Sequence, residues 1–191
     1  MRLEILDRGH PLHTKALLGV IRLVSRQPVV DAVKLAFYRP DFYGAGDLTH
    51  EAMRGPSAWS IGDRELMAAF VSQANQSPFC VSAHSATSGL WYRDDAKVAA
   101  TLADVDSAPI EEPLRATLRM LGKLTRQHTI EADDVRAVLA AGVSPQQIED
   151  ALAVCLAFDI TDRLANAFDF AIATPAAMDA GARHLLKRGY R

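Results

Sequence analysis

Apolar residues recur at three- and four-residue intervals along almost the whole chain, which is the period of a helix rather than the alternation of a strand. Leu17, Val20, Ile21 and Val24 form one such series, and Val30, Val33 and Phe37 another. Arg39-Pro40 and Gly44-Ala45-Gly46 interrupt the pattern. A short helix is then predicted from about Leu48 to Met53, stopped by Arg54-Gly55-Pro56. The next runs from about Gly62 to Gln76, with Leu66, Ala69, Phe70 and Ala74 on one face and Glu65 at its edge.

Helix start signals divide the remainder. Ser77-Pro78 pairs a favoured N-cap with a favoured first helical residue and opens a helix lasting to Gly89. Asp94 caps another through Ala103, and Glu111 to Arg126 forms the following one. Gly142 closes a further helix. Ser144-Pro145-Gln146-Gln147, a capping box with proline at the first position, opens the longest, from Pro145 to about Phe170. Thr174-Pro175 begins the last, which runs toward Lys187. Beyond it, Lys187-Arg188-Gly189-Tyr190-Arg191 reads as a frayed basic tail whose charge suits a helix C-terminus. Helices joined by short turns predict an all-α fold. Ser-Pro starts in both halves suggest a duplicated helical hairpin.

At 191 residues the chain is read as one domain, 1–191, large enough to bury a core without metals or disulfide staples. Lys and Arg number 21 against 23 Asp and Glu, a net charge of −2, so no basic excess exists to bind a phosphate backbone. A hydrophobic content of 49% with 23% charged residues excludes a disordered or fibrous chain. Two cysteines make no disulfide framework. The start, Met1-Arg2-Leu3-Glu4-Ile5-Leu6-Asp7-Arg8, carries charge where a signal peptide needs an apolar stretch. No uncharged run approaches the roughly 20 residues that span a bilayer. The expected setting is a reducing cytoplasm, with neither membrane nor nucleic acid as partner.

Candidate chemistry concentrates in Ser77-Pro78-Phe79-Cys80-Val81-Ser82-Ala83-His84. With Ser77 as N-cap, Cys80 is the third helical residue, among backbone N–H groups that lack intrahelical acceptors and favour a thiolate. His84 follows one turn later on the same face, with Cβ atoms roughly 5–6 Å apart. At about 5 Å and an effective dielectric near 20, thiolate and imidazolium attract by about 3 kcal/mol. Burial opposes this, because a dry site penalises both charges. A carboxylate on His84 fixes its tautomer and favours the imidazolium, whereas one touching Cys80 raises the thiol. The order Glu65–His84–Cys80 is therefore the one that activates sulfur. Taken alone, the residues are better served by the plainer reading, a buried cysteine and a capped histidine. Zn²⁺ binding by Cys80, His84 and Glu65 would leave a site short of the four ligands of a closed structural centre.

The segment from Arg54-Gly55-Pro56-Ser57-Ala58-Trp59-Ser60-Ile61-Gly62-Asp63-Arg64-Glu65-Leu66 through His84 resembles the alkylhydroperoxidase D-like, carboxymuconolactone decarboxylase superfamily, in its peroxidase-related branch. That family's pattern is E-x11-C-x2-C-x3-H, and Glu65, Ser77, Cys80 and His84 fall on its four positions. The resemblance extends to Tyr38-Arg39-Pro40-Asp41-Phe42-Tyr43-Gly44, Ala141-Gly142-Val143-Ser144, Ile148-Glu149-Asp150-Ala151 and Phe158 to Phe170, including Arg163-Leu164-Ala165-Asn166. It implies an all-α homo-oligomer, without cofactor or metal, that reduces a small-molecule hydroperoxide. Cys80 would be the attacking thiol, with His84 and Glu65 as its proton partners.

Ser77 stands where the family has the cysteine that resolves the oxidised one through a C-x-x-C disulfide, and Phe79 stands in place of the family's intervening histidine. A serine can cap the helix and hydrogen-bond a thiolate, but it forms no disulfide. The resemblance then implies one-cysteine recycling by an external thiol reductant. Cys155 among Leu152, Val154, Leu156 and Phe158 reads as a small core residue, with a resolving role requiring Cα atoms within about 7 Å. Two alternatives stay open: a decarboxylase-like lyase using acid/base chemistry, and a catalytically inactive oligomeric binding protein.

Other residues carry weaker readings. His10 and His13 are expected to be solvated in an N-terminal loop. Asp159, Asp162 and Arg163 are read as a buried or intersubunit ion pair, or Arg163 as a contact for a substrate anion. Tyr38, Phe42, Tyr43 and Trp59 are read as core, pocket wall or intersubunit anchors.

Overall fold

The computed structural model describes residues 4–40 and 46–190. Among them are eleven α-helices: α1 (Ile5–Arg8), α2 (Leu12–Ser25), α3 (Asp31–Tyr38), α4 (Gly46–Arg54), α5 (Ile61–Ala74), α6 (Pro78–Tyr92), α7 (Asp95–Ala103), α8 (Glu112–Gln127), α9 (Ala132–Ala140), α10 (Pro145–Ala167) and α11 (Pro175–Arg188). The all-α expectation holds. Phe42, Tyr43, Gly44 and part of the predicted Gly44-Ala45-Gly46 break lie outside the described residues. Among the described residues no helix is long and apolar enough to cross a membrane.

Several caps form as the sequence dictates. The Ser144 hydroxyl accepts from the Gln147 N–H at 3.1 Å, and the Gln147 side chain accepts from the Ser144 N–H at 3.0 Å. Asp94 accepts from the Lys97 N–H, and Thr174 from that of Ala177. Gly142 takes a φ of 91° just past α9, where a Cβ would be strained. Ser60 adds a capping box with Asp63 that opens α5. Two ends move. α6 continues to Tyr92 before Arg93 turns left-handed at φ 56° and donates its N–H to the Gly89 carbonyl. α10 stops at Ala167, where Asp169 has a φ of 52° and the Phe170 N–H reaches back to Ala165 O at 3.0 Å.

The main core joins α4, α5, α8 and α10 through residues such as Met53, Leu66, Leu118, Leu121, Val154 and Phe158. A second, smaller core lies where the N-terminal helices meet α6 and the end of α10. It contains Leu6, Leu35, Phe79, Cys80, Ala165 and Phe170. The Phe79 and Phe170 rings pack edge-to-face, 5.3 Å between centroids. His10 belongs beside this second core rather than in a solvated loop. It is buried, its Nε2 lies 3.1 Å from Leu6 O, and its ring meets that of Tyr38 edge-on. His13, one residue into α2, is exposed.

Candidate active site

α5 and α6 form the most extensive helix pair in the fold. A tight turn joins them, with Gln76 at a left-handed φ of 55° and the Ser77 N–H bonded to Ser72 O at 2.9 Å. From there the antiparallel register runs evenly: Ser72 faces Ser77, Glu65 faces His84, and Ser88 donates to Gly62 O at 3.1 Å. Glycine at 62 permits this approach, because a Cβ there would come within 2.1 Å of the Trp91 ring. Glu65 and His84 thus meet at 2.7 Å between Oε2 and Nδ1, both buried.

Glu65 is sealed completely, and its other oxygen has two partners. Arg54 Nη2 donates to Oε1 at 2.6 Å, and the Tyr190 hydroxyl donates to it at 2.8 Å. Burial alone would raise the Glu65 carboxyl, but the interactions with His84 and Arg54 outweigh it and hold the group below its ordinary value. A buried carboxylate is tolerable only with such partners. Tyr190 moves the other way. Burial of its hydroxyl and the adjoining carboxylate push the phenol up, so it remains a donor. His84 packs edge-on against Phe158, 4.4 Å between centroids. Among the described residues its Nε2 has no hydrogen-bond partner.

Residues 187–190 are not a frayed tail; Arg191, the last residue of that expected tail, lies outside the described residues. Arg54 also donates to Leu185 O at 3.0 Å, the Tyr190 N–H is bonded to His50 Nδ1 at 3.2 Å, and Gly189 turns at a φ of 73° against His50 and Arg54. Two residues of this cluster were missed in the sequence. Arg54 could have been found from its place at the head of the resembling segment, whereas no sequence signal marks Tyr190.

Cys80 occupies the predicted third position of α6 but not the predicted environment. It is 1% exposed and makes no hydrogen bond to His84. Burial pushes its thiol well above the ordinary value, and the charge of the neighbouring Asp162 pushes the same way. The expectation of an acidified sulfur is therefore corrected: desolvation and a nearby carboxylate outweigh the helix terminus and the imidazole. Ser77 does not cap. Its hydroxyl is sealed, without a well-formed hydrogen bond, and close enough to the sulfur to oppose the rise slightly. Glu65 and His84 are thus brought together, while Cys80 is paired instead with Asp162.

Asp162 is fully buried, accepting from Ser72 Oγ at 2.8 Å and Asn75 Nδ2 at 3.0 Å. Burial raises its carboxyl, and those two residues and Cys80 moderate the rise. Within the chain the expected buried ion pair with Arg163 is not formed: Asp159 accepts from Asn75 at 2.8 Å, and Arg163 is exposed. Cys155 belongs to the main core, beside Thr125 Oγ1 at 3.6 Å, with its thiol pushed up to about 11 mainly by burial. Both cysteines are free. Trp59 is core, donating from Nε1 to Gln147 O at 2.8 Å. Among the described residues no three His, Cys, Asp or Glu converge as metal ligands. Two open clefts of about 430 and 440 Å³ border α2, and neither is lined by Glu65, Cys80 or His84.

What the arrangement offers chemically is a buried carboxylate–imidazole pair, whose second ring nitrogen has no partner among the described residues, one helical turn from a protonated thiol. Two solved structures share its framework. The crystal structure of an uncharacterized peroxidase-related protein from Silicibacter sp. TM1040 is similar with a TM-score of 0.73 and 23% sequence identity, over 86% of each chain. That of an alkylhydroperoxidase AhpD core, an uncharacterized peroxidase-related protein from Ralstonia eutropha JMP134, gives 0.72 and 23% identity over 93% of each chain. No protein-family model and no curated protein matches the sequence. The chain has the helical fold of the alkylhydroperoxidase D core.

Proposed function

We propose that the protein is a thiol-dependent, peroxidase-related protein that reduces hydroperoxides through Cys80. The reading is carried by the Glu65–His84 pair, built into the interior one turn from that sulfur. A paired, desolvated acid and base inside a core is costly for stability alone and recurs where proton transfer is needed. In the reaction the Cys80 sulfur attacks one peroxide oxygen and the O–O bond breaks. Sulfur becomes a sulfenic acid, and the other oxygen leaves as an alcohol carrying the thiol proton, with His84 as the transfer group. Because Ser77 cannot resolve the product, an external thiol forms a mixed disulfide and releases water. A second thiol then frees Cys80. The protonated resting thiol makes this a slow nucleophile until its proton is removed. The bare apolar face of α2 supports the homo-oligomer expected with this fold.

The raised thiol favours a second reading as well: acid/base lyase chemistry at His84 Nε2, for which sulfur is dispensable. Exposure to hydroperoxide followed by sulfenic-acid trapping and mass spectrometry tests the first. Modification of Cys80 ahead of Cys155 is expected, together with loss of peroxide reduction in Cys80→Ser. An unmodified Cys80, under conditions that oxidise a control thiol, overturns it. Lyase activity that survives Cys80→Ser would establish the alternative.

A further inference from the structure

We propose that Tyr190, two residues beyond the end of α11, is a positioning residue that sets the state of the His84 imidazole by holding Glu65. The inference deepens the proposed function and rests on it only for the use made of His84. Glu65 Oε1 receives two donors, Arg54 Nη2 at 2.6 Å and the Tyr190 hydroxyl at 2.8 Å, leaving Oε2 to face His84 Nδ1 at 2.7 Å. The single proton of the phenol is given to Glu65. Its oxygen, 3.3 Å from His84 Nδ1, is then a secondary acceptor for the ring N–H. Both acceptors lie on the Nδ1 side, so they select the tautomer with the proton there and leave Nε2 as the basic nitrogen.

The placement is built into the chain. The Tyr190 ring stacks on His84 at 6.2 Å and an interplanar angle of 20°, and the Arg54 guanidinium lies 5.1 Å from its centre. Its N–H is tied to His50, while Arg54 anchors the last turn of α11 through Leu185 O. At Gly189 a Cβ would lie 2.7 Å from His50 and 3.1 Å from Arg54, so the turn that delivers Tyr190 requires glycine. The phenol oxygen is enclosed while the ring remains half-buried, which places Tyr190 as a wall between His84 and solvent. The other ionisable groups around this cluster are Arg64, whose charge acts on Glu65 and Arg54, His50, which holds the Tyr190 N–H, and Cys80 with Asp162 beside it. The hydrogen bonds of the Tyr190 hydroxyl go to Glu65 and His84.

Tyr190→Phe retains the ring and removes the hydroxyl, and truncation after Gly189 removes both. In full-length protein labelled with ¹⁵N-histidine, wild type should show one His84 tautomer with a slowly exchanging Nδ1 proton. Tyr190→Phe should exchange that proton at least tenfold faster, with a melting temperature near that of wild type. Truncation should do the same and also lower the melting temperature. Wild-type exchange in Tyr190→Phe, whatever truncation does, would reduce Tyr190 to packing and overturn the proposal. The readout needs no turnover, so an inert Cys80 with a tyrosine-dependent imidazole would refute the peroxidase reading alone.

Discussion

A carboxylate about 4 Å from a thiol, at an effective dielectric near 20, disfavours the thiolate by about 4 kcal/mol before screening and relaxation. Asp162 acts on Cys80 in this sense; its partners Ser72 and Asn75 are neutral donors, and His84 is the group whose positive charge opposes it. Asp162→Asn keeps an acceptor for Ser72 and removes the charge. Alkylation of Cys80 by iodoacetamide at pH 8 should then quicken about tenfold, the change in thiolate fraction for one unit of thiol acidity. Cys155, buried in the main core and on which the Asp162 charge is the smallest of the influences, should quicken less in the same mass spectrum. An unchanged rate would mean that access, not ionisation, limits the sulfur. The helix-terminus argument for an acidic Cys80 failed at this scale because burial outweighs it and the opposing carboxylate arrives from α10, more than 80 residues along the chain.

Among the elements, two serines followed by proline make a direct contrast. Ser144 satisfies two backbone N–H groups reciprocally with Gln147, so Ser144→Ala should cost about 1 kcal/mol in urea unfolding. Ser77 occupies the same motif, but its hydroxyl is sealed beside the Cys80 sulfur without a well-formed hydrogen bond; Ser77→Ala should change stability by less than about 0.5 kcal/mol. Equal losses would contradict the cap geometry. The same contrast marks how far the sequence could be read. Start signals and apolar spacing are local, and they located α5, α6 and α10 to within a few residues. The Glu65–His84 pair was legible because a hairpin with a tight turn at Gln76 sets its own register. Arg54, Asp162 and Tyr190 were not, because their contacts depend on how α4, α10 and α11 pack onto that hairpin. The motif Ser77-Pro78 was misread as a side-chain cap because the tight turn rotates the hydroxyl into the interior.

For the whole molecule, α2 has two apolar faces and only one is covered. Thr14 is buried, with Leu18 and Ile21 half-buried beside it. Leu12 is 84% exposed, Leu23 78% and Val24 79%, with Val20 and Leu17 also exposed. At 3.6 residues per turn these five fall within a stripe of roughly 140°. A contiguous apolar stripe of that kind is an interaction surface or an aggregation hazard on an isolated chain. A second copy is the occupant consistent with a homo-oligomer, because an isologous contact would place the same apolar stripe on both sides. Light scattering on the purified protein should therefore give a mass of at least twice 20.8 kDa at micromolar concentration. Leu23→Glu combined with Val24→Glu should shift it to the monomer with its helical circular dichroism retained, since neither side chain supports the fold of its own chain. A wild-type protein that stays monomeric at 100-fold higher concentration would show that α2 is not the assembly surface. A double variant that still assembles would move the interface to another face, with Leu156 and Ile160 on α10 the next exposed pair.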